Sequence, residues 1–455
     1  MATNEKIQTD PAVSSLDSKS GLGLGSLVAL ATGTVVGSGV VSLVGVAAGV
    51  TGRSVWMAYG GAVLLGLLLV LPFIFLSSAI RVKGGNYSFV SAVLGDMFGG
   101  VYCLSFTMNA FVMGLFGVTL SRYIQVLLPQ TPVKLVAATI ITLFYVSNLF
   151  GVKLMSKLQN IMFTALLAGL IIYIVTGLAN LRPDSLDISN RDFFKDGLSG
   201  FMAAVMILVF STTGHYFVIS FSKEANNAKR DIPLSIIITS GIILVLYVGV
   251  AFVTANVLPI SQVEGQPLTV IAQETMPKVL YYLFVFGGPI MALTTTINSN
   301  FTIFSRPLEQ ATKDGWFPQT IAKRNKAGVP YKLITLLYII GVMPLLLGFS
   351  VIQIVAYNIL VDSISELVAY IAIIRYPNKL AEAWENRHFK ISKNSFYIVM
   401  ALSIIARIML IVLSLNEVNL PIAIATVIMF VAFFLYSYWR VRTGKVNMEK
   451  SYELQ

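Results

Sequence analysis

The sequence predicts an all-α polytopic membrane protein of about twelve transmembrane helices, with the first and the sixth discontinuous. Apolar residues make up 56% of the 455-residue chain and charged residues only 12%, against about 25% charged in a soluble domain. The charges fall in short stretches between long apolar runs. Two of those runs carry small residues at their middles, TGTVVGSGV at 32–40 and FSTTGHYF at 210–217. In hydrocarbon every backbone N–H and C=O must be satisfied, so a broken helix persists only beside protein or a water-filled cavity. Breaks at corresponding positions of two halves point to a transporter-type binding site.

A span needs about 20 apolar residues. After a polar tail, 1–20, with no cleavable signal pattern, the runs lie at 21–49, 55–80, 98–128, 132–151, 155–180, 197–221, 232–257, 278–307, 331–349, 351–375, 394–415 and 419–439. Spans 4 and 5 nearly touch around Gly151 and Lys153, and spans 9 and 10 near Gly348, so each pair is read as antiparallel neighbours. With the N-terminus inside, about 24 of the 32 Lys and Arg residues fall in inside segments, which puts both termini in the cytoplasm. The net charge of +11 is thus a topological signal rather than a nucleic-acid footprint. The expected organisation is an N-terminal tail 1–20, a five-helix unit 21–180, a second unit 197–375, helices 11 and 12 at 394–439, and a tail 440–455. An odd number of helices per unit inserts the second upside down, and the two broken spans head their units as an inverted repeat requires.

The chemistry of the breaks follows from the residue types. Gly37 lies about 16 residues into span 1, roughly 24 Å along it and within the bilayer. Gly37, Ser38 and Gly39 let the backbone unwind and a ligand approach closely. The half-helix beyond offers N–H groups and a positive dipole end to a carboxylate, and Ser38 adds a hydroxyl. A small-residue packing face is the alternative for this segment alone; the second break favours binding. There, residues 210–214 free carbonyls that can accept from an ammonium.

Ionisable residues inside spans are functional candidates. His215 stands one residue past the second break, either as a proton switch or as a neutral imidazole bracing the unwound segment. Asp362 and Glu366 are i,i+4 neighbours on span 10, placed for an ion path, a proton relay or pairing with a cation; the alternative is that both hydrate in a vestibule. No P-loop is present, so ATP drive is not expected. No HExxH motif or nucleophile–base arrangement suggests an enzyme. The single cysteine, Cys103, excludes an intrachain disulfide and a Cys-rich metal site.

Four stretches in register resemble the amino acid–polyamine–organocation superfamily of permeases: GTVVGSGV at 33–40, KGGNYSFVSAVLGD at 83–96, FSTTGHYFVISFSKEANNAKRDIP at 210–233, and SRPLEQATKDGWFPQTIAKRNKAGVP at 305–330. The hydropathy pattern is similar over about residues 20–440. The resemblance implies a LeuT-like fold, a 5+5 inverted repeat plus two peripheral helices. It implies secondary active transport of small amino acids, as permease or exchanger, across the plasma (inner) membrane by alternating access. Spans 1, 2, 6 and 7 would rock against spans 3, 4, 8 and 9. It also implies that Gly37, Ser38 and Gly39 hold the substrate carboxylate. The carbonyls of Val35, Phe210, Ser211 and Thr213, beside Gly214, would hold the amino group, and Phe210 would gate the site.

Departures from the family pattern are His215, where relatives carry a bulky aromatic, Leu166 in place of an exchanger-type lysine on span 5, and Tyr216 where acid-resistance antiporters carry glutamate. Hydroxyls and amides of span 8, Thr294 to Thr296 and Asn298 to Asn300, are candidates for a sodium site or for interhelical bonds. Asn109 is a candidate for the side-chain pocket. Arg230, Glu224, Asp231, Arg306 and Asp314 are candidates for a cytoplasmic gate network. The expected partners are an amino acid, the lipid bilayer and a coupled proton or counter-substrate, with no cofactor, metal or nucleic acid. Two other readings stay open: an antiporter for a cationic substrate held by Asp362, and a non-transporting amino-acid sensor.

Overall fold

The computed structural model describes residues 22–82, 86–150, 155–185, 187–189, 192–221, 225–448 and 452–454. The tail 1–20, the turn at 151–153, Glu224 and the side chains of Arg306 and Thr295 lie outside the described residues. Among the described residues, eight helices are long and apolar enough to cross a membrane, with shorter apolar helices at Leu24–Gly33, Val133–Leu149, Thr164–Leu178 and Tyr331–Leu346. Each of the twelve apolar runs carries at least one of them. The rim presents aliphatic side chains such as Leu346, 80% exposed, and Val427 and Ile428, 63% each. Lipid accepts such a surface and water penalises it. Two short strands, β1 (Ile80–Val82) and β2 (Tyr452–Leu454), pair antiparallel.

Both expected breaks are present. Span 1 comes as Leu24–Val35 and Ser38–Thr51, with Val36 and Gly37 non-helical between them. Gly37 is extended, φ −174°. Span 6 comes as Gly197–Val209, a 3-10 turn Phe210–Thr212 and a further 3-10 segment Gly214–Phe221. Its second half therefore winds more tightly than an α-helix, over residues dominated by aromatic and β-branched side chains with modest helix propensity.

Two irregularities had not been expected. Span 3 changes from α-helix Asp96–Phe106 to a 3-10 stretch Thr107–Val112 before Met113–Leu127. Span 8 carries a π-turn, Phe286–Ile290, between Lys278–Val285 and Met291–Lys313. Pro289 lacks an amide donor there, and the preceding Gly287 and Gly288 let the ladder slip by one residue.

Span 2 (Val55–Ser77) lies along span 7 (Ala228–Asn256), and the two halves of span 1 pack against the two halves of span 6. Span 4 packs on spans 3 and 9, and span 8 on spans 3, 4, 5 and 9. Span 10 (Val351–Ile374) runs between span 3 and span 11 (Lys393–Glu417). Its start is legible in the sequence: Gly348, φ +75°, turns the chain, and Ser350 and Gln353 exchange the two bonds of a capping box. Span 12 (Leu420–Arg442) lies over the first half of span 3 and buries little. Span 11 is less peripheral than the sequence suggested. It packs on spans 10 and 2 and buries Arg407 to 3% exposure.

At the end of the bundle opposite the termini, the buried Arg53 reaches the Asp184 carbonyl and carboxylate, both at 2.7 Å. The amides of Arg53 and Ser54 bond the carbonyls of Asp192 and Phe193 at 2.8 and 2.9 Å. Gly52, φ +76°, is required because a Cβ there would stand 2.1 Å from the Asp192 carbonyl oxygen. The hydrogen bond from Arg53 holds the Asp184 carboxyl below the usual carboxylate range. A depressed folded-state value means that the clasp stabilises the fold at neutral pH and weakens as pH falls through that value. Melting temperature should therefore fall more steeply on acidification in the wild type than in Asp184→Asn.

Packing of the breaks gives a second expectation. A Cβ on Gly39 would sit 2.5 Å from the Ser211 Cβ, whereas one on Gly25 would meet nothing within 4 Å. Gly39→Ala should cost roughly 1–3 kcal/mol as overpacking, read as a lowered melting temperature in detergent. Gly25→Ala should melt like the wild type.

Candidate functional site

The breaks meet. Gly39 is in close contact with Ser211, and the position of a Gly37 Cβ is 3.2 Å from the Thr296 hydroxyl of span 8. The N-cap of the half-helix Ser38–Thr51 is Gly37, which has no side chain to cap it, and the first-turn amides carry the positive end of the helix dipole. That is the chemistry expected for a carboxylate. Ser38 and Ser211 are buried; Gly37, Phe210, Thr213 and Gly214 are half-buried.

Each break is braced by a tyrosine that the sequence had not singled out. Tyr247 of span 7 donates to the Val35 carbonyl at 2.8 Å. Tyr59 of span 2 pairs with the Ser211 hydroxyl at 2.7 Å, and that hydroxyl donates to the Leu208 carbonyl. The two rings lie 4.9 Å apart. One ammonium acceptor proposed from the sequence, the Val35 carbonyl, is therefore already bonded within the protein. Span 2 thus braces the broken span 6, and span 7 braces the broken span 1.

His215 turns away from the Gly39–Ser211 contact. It is fully buried and its Nε2 pairs with Ser240 of span 7 at 3.0 Å. Ser240 also donates to the Ile236 carbonyl at 3.0 Å. Thr212 reaches across to the Ala62 carbonyl at 3.1 Å, in the space that Gly66 leaves open. These bonds tie span 6 to spans 2 and 7.

A second cluster lies between spans 3, 6 and 10. Asn109, on the 3-10 stretch of span 3, lines a cavity of about 10 Å³ with Tyr102, Tyr216, Asp362 and Glu366, room for about one water molecule. Asp362 is paired with Arg407 of span 11 at 2.7 Å. Glu366 is 1% exposed. Its Oε1 accepts from Tyr102 at 2.7 Å and from Tyr216 at 3.4 Å, while its Oε2 has no hydrogen-bond partner among the described residues. Asn109, Asp362 and Glu366 are thus brought together, separately from the contact between the breaks.

The remaining candidates sit elsewhere. Asn298 accepts from Asn148 of span 4 at 2.8 Å, an interhelical bond. Leu166 is buried in span 5. Asp314 accepts from Tyr87 at 2.7 Å and Gln310 at 3.0 Å, Asp231 is buried, and Arg230 is exposed.

A family model described as amino acid permease matches residues 22–439. The chain belongs to that family. It is 24% identical to the branched-chain amino acid permease BcaP of Bacillus subtilis over 72% of this chain and 74% of the relative. It is 25% identical to the human cystine/glutamate transporter over 65% and 61%. A methylthioribose transporter of Bacillus subtilis is 24% identical over 65% and 68%. This permease is a multi-pass membrane protein and a secondary transporter of amino acids, not an enzyme.

Arg407 is the largest omission of the sequence reading, and its signal was available. An arginine in the middle of span 11 is costly in hydrocarbon unless it is paired. Tyr59, Tyr102 and Tyr247 had no comparable signal, because tyrosine is common in apolar spans. Arg407 is buried and Asp362 about a third exposed, so removing Asp362 leaves a buried cation without its counter-ion. Asp362→Asn and Arg407→Gln should each lower the melting temperature, and the double variant should recover part of the loss, with a coupling energy of about 1–3 kcal/mol. A purely additive double-mutant cycle would show that the pair contributes nothing.

Proposed function

We propose that this permease carries small amino acids through a LeuT-like arrangement of twelve helices, as permease or exchanger, across the plasma (inner) membrane with both termini cytoplasmic. The carrying observation is the contact between the two helix breaks, Gly39 against Ser211, with uncapped amides on one side and a carbonyl-rich turn on the other. The amides of Gly37, Ser38 and Gly39 hold the substrate carboxylate. The carbonyls of Phe210, Ser211 and Thr213 beside Gly214 take the ammonium, with Val35 a weaker contributor because Tyr247 shares its carbonyl. Phe210 closes over the site. Spans 1, 2, 6 and 7 move as a unit, tied by Tyr59, Tyr247 and Thr212, and the network at Asp314 opens and closes the cytoplasmic side.

The names of two of the three relatives support an amino acid and extend the set of candidates to branched-chain side chains. The cationic-substrate reading is weakened, because Asp362 already has Arg407 as its counter-ion.

The test is counterflow in proteoliposomes with each labelled proteinogenic amino acid, at two pH values, with and without sodium. Flux of at least one small neutral amino acid is expected. Binding without flux would instead favour a sensor. Gly37→Val should raise the KM of any substrate that moves, because the added side chain starts 3.2 Å from Thr296. An unchanged KM would remove the carboxylate assignment.

A further inference from the structure

The cluster between spans 3, 6, 10 and 11 holds two carboxylates and one guanidinium. Asp362 and Glu366 share a face of span 10, and Arg407 pairs with Asp362 at 2.7 Å. Tyr102 brings a hydroxyl from span 3 and Tyr216 one from span 6. Tyr370, on span 10 itself, faces the guanidinium, with Arg407 5.7 Å from its ring centre. The helix Asn86–Leu94, which also packs on span 10, offers Asn86 to the Tyr102 hydroxyl at 3.1 Å. That donor directs the Tyr102 proton toward Glu366. His215, next to Tyr216, is turned toward Ser240 of span 7 instead.

The charges do not balance when both carboxylates are ionised. Arg407 cancels one negative charge, and the other would remain on a group 1% exposed, about 22 Å along span 10 from its start. An uncompensated charge at such a place is expensive. One proton on Glu366 makes the cluster neutral. The hydrogen bonds also say where it would go. Both tyrosines donate to Oε1, and Oε2, with no partner among the described residues, is the remaining lone-pair site on the carboxylate. The Glu366 residue lines a cavity with room for about one water.

We propose that Glu366 is a proton-binding site whose loading is tied to the movement of spans 1, 2, 6 and 7. This rests on the transport reading above and deepens it by naming a coupled ion and its carrier. The two donors to Oε1 belong to different bodies, Tyr102 to the scaffold and Tyr216 to the moving bundle. Tyr216 also stacks on Phe73 of span 2, with ring centres 5.2 Å apart, so it travels with that bundle. When the bundle swings, the longer contact from Tyr216 opens and water reaches the carboxyl. The O–H bond on Oε2 then breaks, the proton leaves to water on the open side, and the carboxylate is stabilised by hydration until the bundle returns. Proton binding is the reverse, with the proton supplied by water.

The experiment uses the full chain in proteoliposomes loaded with pyranine, a pH-sensitive dye, with labelled proteinogenic amino acids added singly. For any amino acid that shows counterflow, net uptake should be accompanied by proton movement, and an imposed pH gradient should drive its accumulation. Glu366→Gln should reduce protons moved per substrate to the level of protein-free vesicles. Glu366→Asp, which keeps a titratable carboxyl, should restore part of it. Tyr216→Phe, which removes the bundle-side donor, should displace the pH profile of uptake. Counterflow in the wild type without dye response or gradient-driven accumulation overturns the proton site and leaves the transport reading standing. So does a Glu366→Gln protein that still moves protons with substrate. If Glu366→Gln does not fold, the wild-type dye response and the Tyr216→Phe profile decide. Absence of counterflow for every amino acid overturns both readings.

Discussion

Hydrocarbon offers no hydrogen bonds, and this permease breaks two helices inside it. Everything near the middle of the molecule answers to that constraint. A break releases amides on one side and carbonyls on the other, and each must find a partner. Some are found within the protein: Tyr247 for the Val35 carbonyl, and Tyr59 for the Ser211 hydroxyl. The first-turn amides of Ser38–Thr51 receive no cap from their N-cap residue, Gly37, which has no side chain. Glycines supply the closeness this needs, since Gly39 and Gly66 leave room for Ser211 and Thr212 that no side chain could share. Side chains from spans 2 and 7 thus brace both breaks in their non-helical form.

The same constraint acts on charge. Arg407, Asp362 and Glu366 are all within the helical bundle, and low dielectric makes each tolerable only through its neighbours. Asp362 and Arg407 satisfy one another. Glu366 is supported by hydroxyls rather than by a cation. The cluster joins span 11 to spans 3, 6 and 10, which gives that helix a role beyond its place at the edge of the bundle.

The end of the bundle opposite the termini is closed by backbone as much as by side chains. Gly45 abuts the Gln266 carbonyl, Gly265 bonds the Gly45 carbonyl, and Tyr123 of span 3 joins Val41 to Leu268. Arg53 fastens the adjoining turn to Asp184. The second half of span 1 is thus held to the loop that follows span 7 by these contacts.

Much of this could be read from the chain before any coordinates. Apolar runs of span length, the small residues at 37–39 and the Phe210–Gly214 turn chemistry are local properties, set by backbone satisfaction and side-chain type, and the described helices follow them. Which side chains fill the breaks was not local. Tyr59 and Tyr247 lie on helices distant in sequence from the breaks they brace, and nothing in an apolar span marks one tyrosine over another. Asp362 was visible as a carboxylate inside an apolar run, but its partner sits 45 residues away on another helix. Whether a carboxylate in a membrane meets a cation, a hydroxyl or water depends on which helix packs beside it, and helix packing in lipid is decided by shape complementarity over the whole bundle.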